Sequence, residues 1–384
     1  AGPDAELIYV GKKGGDHTLP QEGINALIVE KARQGKTVAR LKGGDPFIFG
    51  RGGEEAEVLI EAGIPFEIVP GVTAAIGASA YAGIPLTHRD YTSDVAFITG
   101  HEDPTKAESS IDWKALATGI GTLVFFMGVK NLSSIADNLI THGRPAETPV
   151  AVIRWGTTPR QRTVTGTLAT IVNDVREAGI KAPAIIIVGG VVKLRETMQW
   201  FEKRPLLGRR IVVTRAREQA SDLVRKLTDA GAQCIQCPTI EVAPPADWTP
   251  VDRAIEALGQ YDWIVFTSVN GVDYFFRRLF AKGLDSRALG HIKTATIGPA
   301  TADRLRAWGL TSDIIPKNYR AEAVVEAFSA TSVKGIKVLL PRAREARSVL
   351  PVELSRMGAT VDEVTAYETR QVESGAADLV QRLN

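Results

Sequence analysis

Short runs of β-branched and aromatic residues alternate with amphipathic segments along nearly all of this 384-residue chain. Runs of four to six such residues are typical of buried strands, and apolar residues three and four apart are typical of helices. The predicted strands are Leu7–Val10, Thr37–Leu41, Phe66–Val69, Val95–Thr99, Leu123–Met127, Val150–Arg154, Ala184–Val188, Ile211–Thr214, Ile235–Gln236, Trp263–Thr267, Thr294–Ile297 and Lys337–Leu340. Helices are predicted between several of them, including Gly52–Ala62, Ala74–Ala82 and Gln219–Ala230. This alternation predicts an α/β fold with parallel or mixed sheets covered by helices.

Two interruptions divide the pattern into domains. A charged connector containing proline and glycine runs from Phe201 to Arg210, and a polar loop runs from Ile84 to Tyr91. A chain of this length is expected to form two or three domains of roughly 150 residues each. We therefore predict one lobe over residues 1–91, a second over 92–204, a linker at 205–210 and a further domain over 211–384.

The charge and cysteine content narrows the classes of partner and compartment. Forty-six basic residues against 44 acidic ones give a net charge of +2, which argues against a general attraction to nucleic acid or anionic membranes. Two cysteines cannot build a disulfide framework, and no secretory signal opens the chain, so we expect a cytoplasmic protein. Cys234 and Cys237 have the spacing of a redox motif but lie in a predicted strand, which favours buried structural thiols. The five histidines are scattered, and no metal site is predicted.

A glycine-rich turn follows the predicted strand Thr37–Leu41. It reads Gly43-Gly-Asp-Pro46, with further glycines at 50, 52 and 53. Glycines at the carboxyl end of a strand let a ligand approach the backbone closely, and an aspartate there can accept hydrogen bonds from ribose hydroxyls. The alternative is a simple tight turn. The spacing matches neither a P-loop nor the dinucleotide fingerprint.

Seven segments between Ala1 and about Arg204 together resemble uroporphyrinogen-III C-methyltransferase, a tetrapyrrole methylase. They are Leu41-Lys-Gly-Gly-Asp-Pro-Phe-Ile-Phe-Gly-Arg-Gly-Gly-Glu-Glu55, Val69-Pro-Gly-Val-Thr-Ala-Ala75, Gly83-Ile-Pro-Leu-Thr-His-Arg-Asp-Tyr91, Thr99-Gly-His101, Phe125-Phe-Met-Gly128, Trp155-Gly-Thr-Thr-Pro-Arg-Gln-Arg162 and Pro183-Ala-Ile-Ile-Ile-Val-Gly189. The resemblance implies two α/β lobes, a homodimer, and transfer of methyl groups from S-adenosylmethionine to uroporphyrinogen III, giving precorrin-2, a precursor of sirohaem and cobalamin. No metal is implied.

The resemblance also implies which residues bind the methyl donor. The donor-binding residues would be Gly43, Gly44, Asp45, Ile48, Thr73, Ala74, Met127 and Gly156. Ile48 and Met127 would give apolar contacts to the donor; alternatively, each is part of the core at a strand end. Lys12 matches a position with an acid–base role, the alternative being an exposed lysine.

The implied substrate carries eight carboxylates, which guanidinium groups bind in a forked geometry. Arg51 and Arg89 lie within two of the matching motifs and are the main candidates. Further candidates are Arg154, Arg160 and Arg162. Glu54 matches a group that could pair with a pyrrole N–H or assist proton removal. The alternative for any one arginine is a surface ion pair.

From about Gly208 onward the chain resembles uroporphyrinogen-III synthase. The matching segments are Ile211-Val-Val-Thr-Arg215, Phe266-Thr-Ser-Val-Asn-Gly-Val272, Ile297-Gly-Pro-Ala-Thr301 and Tyr367-Glu-Thr-Arg370. The resemblance implies cyclisation of hydroxymethylbilane, with Tyr367 helping the departing hydroxyl and with Thr267, Ser268 and the backbone near Gly298 holding substrate carboxylates. Alternatively, Tyr367 only packs against the core with its hydroxyl satisfied.

The chain departs from both families at its ends. The glycine-rich loop and the aspartate that normally open the methyltransferase do not occur in it, and the synthase part is predicted to be partial. We expect a tetrapyrrole methylase followed by a partial, two-lobed α/β synthase-like unit. Two alternatives stay open: a methyltransferase for a later precorrin, and a non-catalytic fragment that binds tetrapyrroles or nucleosides.

Overall fold

A computed structural model of the chain describes residues 4–13, 16–17, 19–100, 111–215, 217–329, 332–372 and 379, without the side chains of 12, 13, 16, 17 and 217–220. The chain divides into two compact units. One comprises Ala1–Arg209 with Leu227–Gln233, and the other comprises Arg210–Lys226 with Cys234–Asn384.

The first unit is built around a five-stranded mixed sheet. Its elements are β1 (Lys12–Lys13), β2 (Asp16–His17), α1 (Gln21–Arg33), α2 (Gly52–Glu61), α3 (Ala74–Ala82), β3 (Val95–Thr99), α4 (Trp113–Gly119), β4 (Thr122–Phe126), α5 (Leu132–Thr141), β5 (Pro149–Arg154), β6 (Arg162–Thr167), α6 (Ile171–Glu177), β7 (Ala184–Val188) and α7 (Arg195–Met198). The strand order is β3-β4-β7-β5-β6, with β3 and β4 parallel and the other pairs antiparallel.

The three central strands of this sheet, β4, β7 and β5, are buried on both faces. Every residue of β4 is buried, as expected for a strand with helices on both sides. Phe125 lies in a core cluster with Leu139 of α5, whereas Phe126 lies in a second cluster with Ala78 of α3 on the opposite face. This second cluster is the one that anchors the loops of the candidate site.

The elements that follow include a second five-stranded sheet. They are β8 (Arg210–Val213), α8 (Arg217–Asp229), β9 (Gln233–Gln236), β10 (Ile240–Ala243), α9 (Thr249–Glu256), β11 (Trp263–Phe266), α10 (Val269–Ala281), β12 (Lys293–Thr296), α11 (Pro299–Ala307), α12 (Ala321–Ser329), β13 (Lys337–Ala343), α13 (Val349–Arg356) and β14 (Thr360–Gln371). The sheet order is β10-β14-β13-β11-β12, and only the β10–β14 pair is antiparallel. β8 and β9 form a separate two-stranded sheet, and both cysteines near β9 are half-buried rather than buried.

These sheets and their covering helices confirm the prediction of an α/β fold, but three predicted strands are wrong. Leu7–Val10, Thr37–Leu41 and Phe66–Val69 are not strands in the structure. Their composition is that of strands, but a strand also needs a neighbour that completes its hydrogen bonds. The latter two segments border a cavity of about 1000 Å³ instead, and Leu41 and Val69 are 89% and 78% exposed.

No helix within the described ranges is both long and apolar enough to cross a membrane.

Candidate active site

The turn at Asp45 is joined to a second loop by its own side chain. One carboxylate oxygen of Asp45 accepts a hydrogen bond from the backbone N–H of Phe47 at 2.8 Å, which closes the turn. The other accepts from the backbone N–H of Gly71 at 3.1 Å, 26 residues further along the chain. Because these amides donate to the ionised carboxylate, with Gly71 contributing most, they lower the pKa of Asp45. Asp45 is therefore ionised and links the two loops by hydrogen bonds; we call this link the clasp.

Backbone contacts hold the same two loops together. A Cβ atom placed on Gly71 would overlap the carbonyl oxygen of Gly44, so only glycine allows this approach. Gly44 has a φ of +84°, and a Cβ atom there would lie 3.6 Å from the Cα atom of Thr73. Gly43 is exposed, and a Cβ atom there would have no neighbour within 4 Å. The two loops thus form a cradle of exposed backbone around Gly43 and Gly44.

Helix α3 connects these two loops with the loop that follows β5. Thr73 is 3% exposed and immediately precedes α3, where its carbonyl oxygen accepts from the N–H groups of Ile76 and Gly77. One turn further on, a Cβ atom on Gly156 would lie 2.5 Å from the Cβ atom of Ala78. Gly156 therefore lies directly against the middle of α3. Ala74, the first residue of α3, is exposed.

Aromatic packing connects the Asp45 turn with the end of β4. The rings of Phe49 and Phe126 are 4.9 Å apart, and Ile48 packs against the core cluster that contains Phe126. Met127 follows Phe126 with a φ of +57° and is 55% exposed. The core interpretation therefore fits Ile48, which is half-buried, but does not fit Met127. Through these contacts the loops that carry Asp45, Thr73, Met127 and Gly156 lie next to one another.

Arg51 and Glu54 form an ion pair at the start of α2. The guanidinium and the carboxylate make three hydrogen bonds of 2.5–3.0 Å, and the side chains are 55% and 50% exposed. The hydrogen bonds from Arg51 are the main reason that the pKa of Glu54 lies below its usual value. Glu54 is therefore ionised at neutral pH and can accept a hydrogen bond from an N–H group.

The other candidate arginines are in different environments. Arg89 is exposed and forms no ion pair with an acidic side chain within the described part of the chain. Arg162 donates to the carbonyl oxygen of Ala178 at 2.9 Å and so faces α6. Arg154 and Arg160 both lie over the ring of Trp155, at 3.8 and 4.5 Å from its centroid.

Two predicted residues lie beyond what the structure describes. Lys12 belongs to the short strand β1, but its side chain is outside the described part. His101, from one of the matching motifs, is also outside it. Among the described residues, no group of three or more histidine, cysteine or acidic side chains could hold a metal ion.

In the second unit, Tyr367 and Ser268 contact each other directly. The tyrosine hydroxyl lies 3.0 Å from the serine Oγ, which also accepts from the N–H of Gly271 and so caps α10. Tyr367 lies within β14, is 8% exposed, and has the ring of Tyr274 5.9 Å away. Thr267, between β11 and the cap, is half-buried. At Gly298 a Cβ atom would come within 2.9 Å of the Tyr319 ring.

Two residues that are prominent in the structure, Gly71 and Trp155, have no role predicted from the sequence. Gly71 was part of a quoted motif, but only the fold reveals its contact with Gly44. Trp155 also lay in a quoted motif, and its signal was an aromatic residue immediately after a strand and near three arginines.

Two family models match the chain. One, described as tetrapyrrole (corrin/porphyrin) methylases, matches residues 4–172, and the other, described as uroporphyrinogen-III synthase HemD, matches residues 221–384.

Curated relatives match most of the chain. It is 42% identical to the "porphyrin biosynthesis protein HemD" of Ruminiclostridium josui over 96% of this chain and 73% of that protein. It is 47% identical to the "uroporphyrinogen-III C-methyltransferase" of Bacillus subtilis over 75% of this chain and 59% of that one. The first half is 57% identical to an "S-adenosyl-L-methionine-dependent uroporphyrinogen III methyltransferase" of Methanosarcina barkeri, over 50% of this chain and 76% of the relative. The chain thus spans between 59% and 76% of the length of these three relatives.

Proposed function

Because this chain belongs to the tetrapyrrole (corrin/porphyrin) methylase family and carries a uroporphyrinogen-III synthase domain behind the methylase domain, we propose that it has both activities. The methylase part would transfer methyl groups from S-adenosylmethionine to two ring carbons of uroporphyrinogen III, giving precorrin-2. The synthase part would cyclise hydroxymethylbilane to uroporphyrinogen III. The family resemblance seen in the sequence motifs is confirmed by these matches.

The observation that carries the proposal is the clasp between Asp45 and Gly71. It sets the exposed backbone of Gly43 and Gly44 against the start of α3, where a nucleoside can lie against main chain without side chains in the way. This cradle fits the adenosyl part of S-adenosylmethionine, and the exposed Met127 side chain supplies an apolar contact for the methionine part. The proposed donor residues are the set named from the sequence: Gly43, Gly44, Asp45, Ile48, Thr73, Ala74, Met127 and Gly156.

The methyl transfer depends mainly on how the protein positions donor and substrate, because the methyl group is already activated. The sulfonium supplies an activated methyl group: its bond to sulfur breaks as a bond forms to the pyrrole carbon, sulfur keeps the electron pair, and the ring releases a proton. The protein holds the ring in line with the donor, which can replace much of the entropy cost of the reaction. An ionised Glu54 accepts from a pyrrole N–H, and Lys12 is the proposed acid–base group.

Binding of a substrate with eight carboxylates requires several cations. Arg51 and Arg89 are the proposed contacts, since both side chains are exposed and can reach a ligand. Some of the N–H groups of Arg51 already donate hydrogen bonds to Glu54. Arg51 would therefore bind a substrate carboxylate through its remaining N–H groups.

In the synthase part, the proposed groups are Tyr367, Ser268 and Thr267. The Tyr367 hydroxyl can donate a hydrogen bond to the departing hydroxyl of hydroxymethylbilane, while the Ser268 hydroxyl beside it holds the phenol in place. Thr267 and the N–H groups at the start of α10 would hold a carboxylate of the substrate.

We also propose a homodimer formed through the methylase part and a cytoplasmic location. The first is supported by the family resemblance and the second by a cysteine content too low for a disulfide framework. Light scattering on the purified chain tests the first, and fractionation of expressing cells tests the second.

The test of the main proposal supplies the purified chain with S-adenosylmethionine and uroporphyrinogen III under anaerobic conditions and identifies products by mass. Methylated products support the proposal, transfer only to later precorrins favours the alternative substrate, and binding without turnover favours a non-catalytic fragment. A parallel assay supplies hydroxymethylbilane and separates the type III product from the type I isomer that forms without ring inversion. The chain carrying Tyr367→Phe should lose most of this second activity if the type III product is made at the proposed site.

A further inference from the structure

Two positively charged side chains lie over one aromatic ring. The guanidinium carbon of Arg154 is 3.8 Å, and that of Arg160 4.5 Å, from the centroid of the Trp155 ring. Both distances are well inside the range of about 6 Å over which a ring attracts a cation. Two positive charges therefore lie against the same indole ring.

Neither guanidinium is neutralised by an acidic side chain. Within the described part of the chain, no carboxylate lies within ion-pair distance of Arg154 or Arg160, whereas Arg195 in the same unit pairs with Glu202 at 2.8 Å. The Nε atom of Arg154 is buried and has no hydrogen-bond partner. Like charges brought together without a counter-ion are unfavourable, and a buried donor without a partner adds to the cost. The arrangement therefore favours a bound anion.

The loop that carries the ring is tightly constrained. Trp155 and Thr157 have φ values of +50° and +69°, which are costly for residues other than glycine. The carbonyl oxygen of Trp155 accepts from the Thr158 hydroxyl at 2.8 Å, and the amide oxygen of Gln161 accepts from the N–H of Thr157 at 2.7 Å. A backbone held in this strained form points to a functional position for the ring.

The ring also adjoins the proposed donor site. Gly156, the next residue, lies against Ala78 of α3, and a Cβ atom on Gly77 would lie 3.5 Å from the Thr157 side chain. An anion held by the two arginines would thus be next to the loop that approaches the methyl donor. Arg162 does not take part, because it bonds to Ala178.

We propose that Trp155 is a positioning residue that holds Arg154 and Arg160 as a clamp for carboxylates of the tetrapyrrole substrate. This inference rests on the proposed function. Stacking on the indole restricts the two guanidinium groups without using their N–H donors, and apart from the buried Nε of Arg154 these donors are the proposed contacts, so less rotational freedom is lost when a carboxylate binds. The clamp contributes to substrate affinity and ring orientation, and the donor binds independently of it.

The experiment measures the dissociation constants of uroporphyrin III and of S-adenosylhomocysteine for the full chain and four variants. Arg160→Gln removes one cation, Trp155→Leu removes the ring, and Trp155→Phe keeps an aromatic face. Arg176→Gln, an exposed arginine on α6 without an ion-pair partner among the described residues, is the matched control. Thermal unfolding of each variant identifies any that fail to fold.

We expect Arg160→Gln and Trp155→Leu to weaken uroporphyrin binding about tenfold, with a smaller effect in 0.5 M salt, since charge-assisted contacts are lost and salt screens them. Trp155→Phe should recover much of the affinity. Uroporphyrin binding by Arg176→Gln and all S-adenosylhomocysteine dissociation constants should change less than about twofold.

Unchanged uroporphyrin binding in Arg160→Gln, or an equal loss of affinity for both ligands in Trp155→Leu, would overturn the clamp. Failure of the wild-type chain to bind uroporphyrin would overturn it as well. A chain that binds uroporphyrin through these residues without transferring methyl groups would refute the proposed function and leave the clamp standing.

Discussion

The carboxylate of Asp45 lies 3.1 Å from the backbone nitrogen of Gly71, and this one hydrogen bond joins the glycine-rich turn to the loop that begins α3. The same carboxylate closes its own turn through Phe47. Asp45 therefore determines the distance between the two loops before any ligand is bound. Its role in donor binding, as we propose it, includes shaping the cradle as well as contacting the nucleoside.

Asp45→Asn should weaken S-adenosylhomocysteine binding by at least tenfold, because the amide has one acceptor oxygen for two loop amides and places an N–H₂ group against one of them. Calorimetry measures the change. Asp94→Asn is the matched control: the Asp94 carboxylate also accepts a hydrogen bond from a backbone N–H, that of Gly121 at 2.7 Å, but Asp94 lies immediately before β3. It should lower the thermal midpoint without changing donor affinity, and a similar loss of affinity in both variants would contradict the role of Asp45.

Donor affinity should also depend on pH through Asp45. The backbone N–H groups of Gly71 and Phe47 lower the pKa of the Asp45 carboxyl in the folded chain. The ionised carboxylate therefore holds the loops fully at any pH above the pKa that Asp45 has in the unfolded chain. The contribution is lost as the pH falls through the lower, folded pKa. We expect affinity for S-adenosylhomocysteine to be constant from neutral pH down to about pH 4 and to fall below it. Asp45→Asn should remove this acid limb in a titration that keeps the protein folded.

Gly71→Ala should separate the two loops. An added Cβ atom would meet the carbonyl group of Gly44, which is backbone and cannot rotate away, so we expect a loss of about 1–3 kcal/mol in stability and at least tenfold in donor affinity. Gly53→Ala is the control, because a Cβ atom at this position in α2 has no neighbour within 4 Å. It should be neutral or slightly stabilising, by up to about 1 kcal/mol. Chemical denaturation and calorimetry give both quantities, and normal donor binding by Gly71→Ala would refute the close approach.

The sequence pattern alone predicted an element correctly where the tertiary contacts of that segment favour the same element. The bounds predicted for Ala74–Ala82, Val95–Thr99 and Ala184–Val188 are those found in the structure. Each of these segments is short, apolar and ended by a residue that stops it, as Gly83 with a φ of +71° ends α3. In such segments propensity, periodicity and burial favour the same element.

The sequence pattern alone failed where a segment becomes a strand only by pairing with another strand. Thr37–Leu41 has the composition of a strand, but within the described residues it pairs with no other strand, and it borders a cavity. Conversely, β6 and β14 were missed, because polar residues alternate in them as at the edge or exposed face of a sheet. Long-range geometry was inaccessible for the same reason, since the contacts of Gly71 with Gly44 and of Trp155 with two arginines need the folded chain. The binding roles of Asp45, Thr73, Met127 and Gly156 stay predictions.

The pair of Arg51 and Glu54 allows a test of charge at the proposed substrate site. Arg51→Gln should raise the pKa of Glu54 towards its ordinary value, because the hydrogen bonds from the guanidinium are what lower it. Since both side chains are about half exposed, stability should change by less than about 1 kcal/mol, whereas uroporphyrin affinity should fall about tenfold. Carboxyl NMR titration with Glu54→Gln for assignment measures the first effect.

Arg356→Gln is the control for this charge test. Arg356 pairs with Glu353 at the same i,i+3 spacing on α13, in the other unit, with the arginine 72% exposed. It should leave uroporphyrin binding unchanged. If both variants weaken binding equally, the effect of Arg51 is one of overall charge and the proposed contact is wrong.

The neighbouring hydroxyls of Tyr367 and Ser268 give the sharpest test of the synthase site, because a second tyrosine beside them serves as a control. Tyr367→Phe should lower synthase kcat at least tenfold with little change in KM, since the proposed hydrogen bond to the departing hydroxyl acts in the transition state. Its cost in stability should be about 0.5–1.5 kcal/mol for one lost internal hydrogen bond. Tyr274→Phe loses a comparable bond, from its hydroxyl to the carbonyl oxygen of Val242 at 2.9 Å, and should cost the same stability without changing kcat. Equal losses of kcat in the two variants would mean that Tyr367 serves packing alone, which is the alternative that its burial in β14 leaves open.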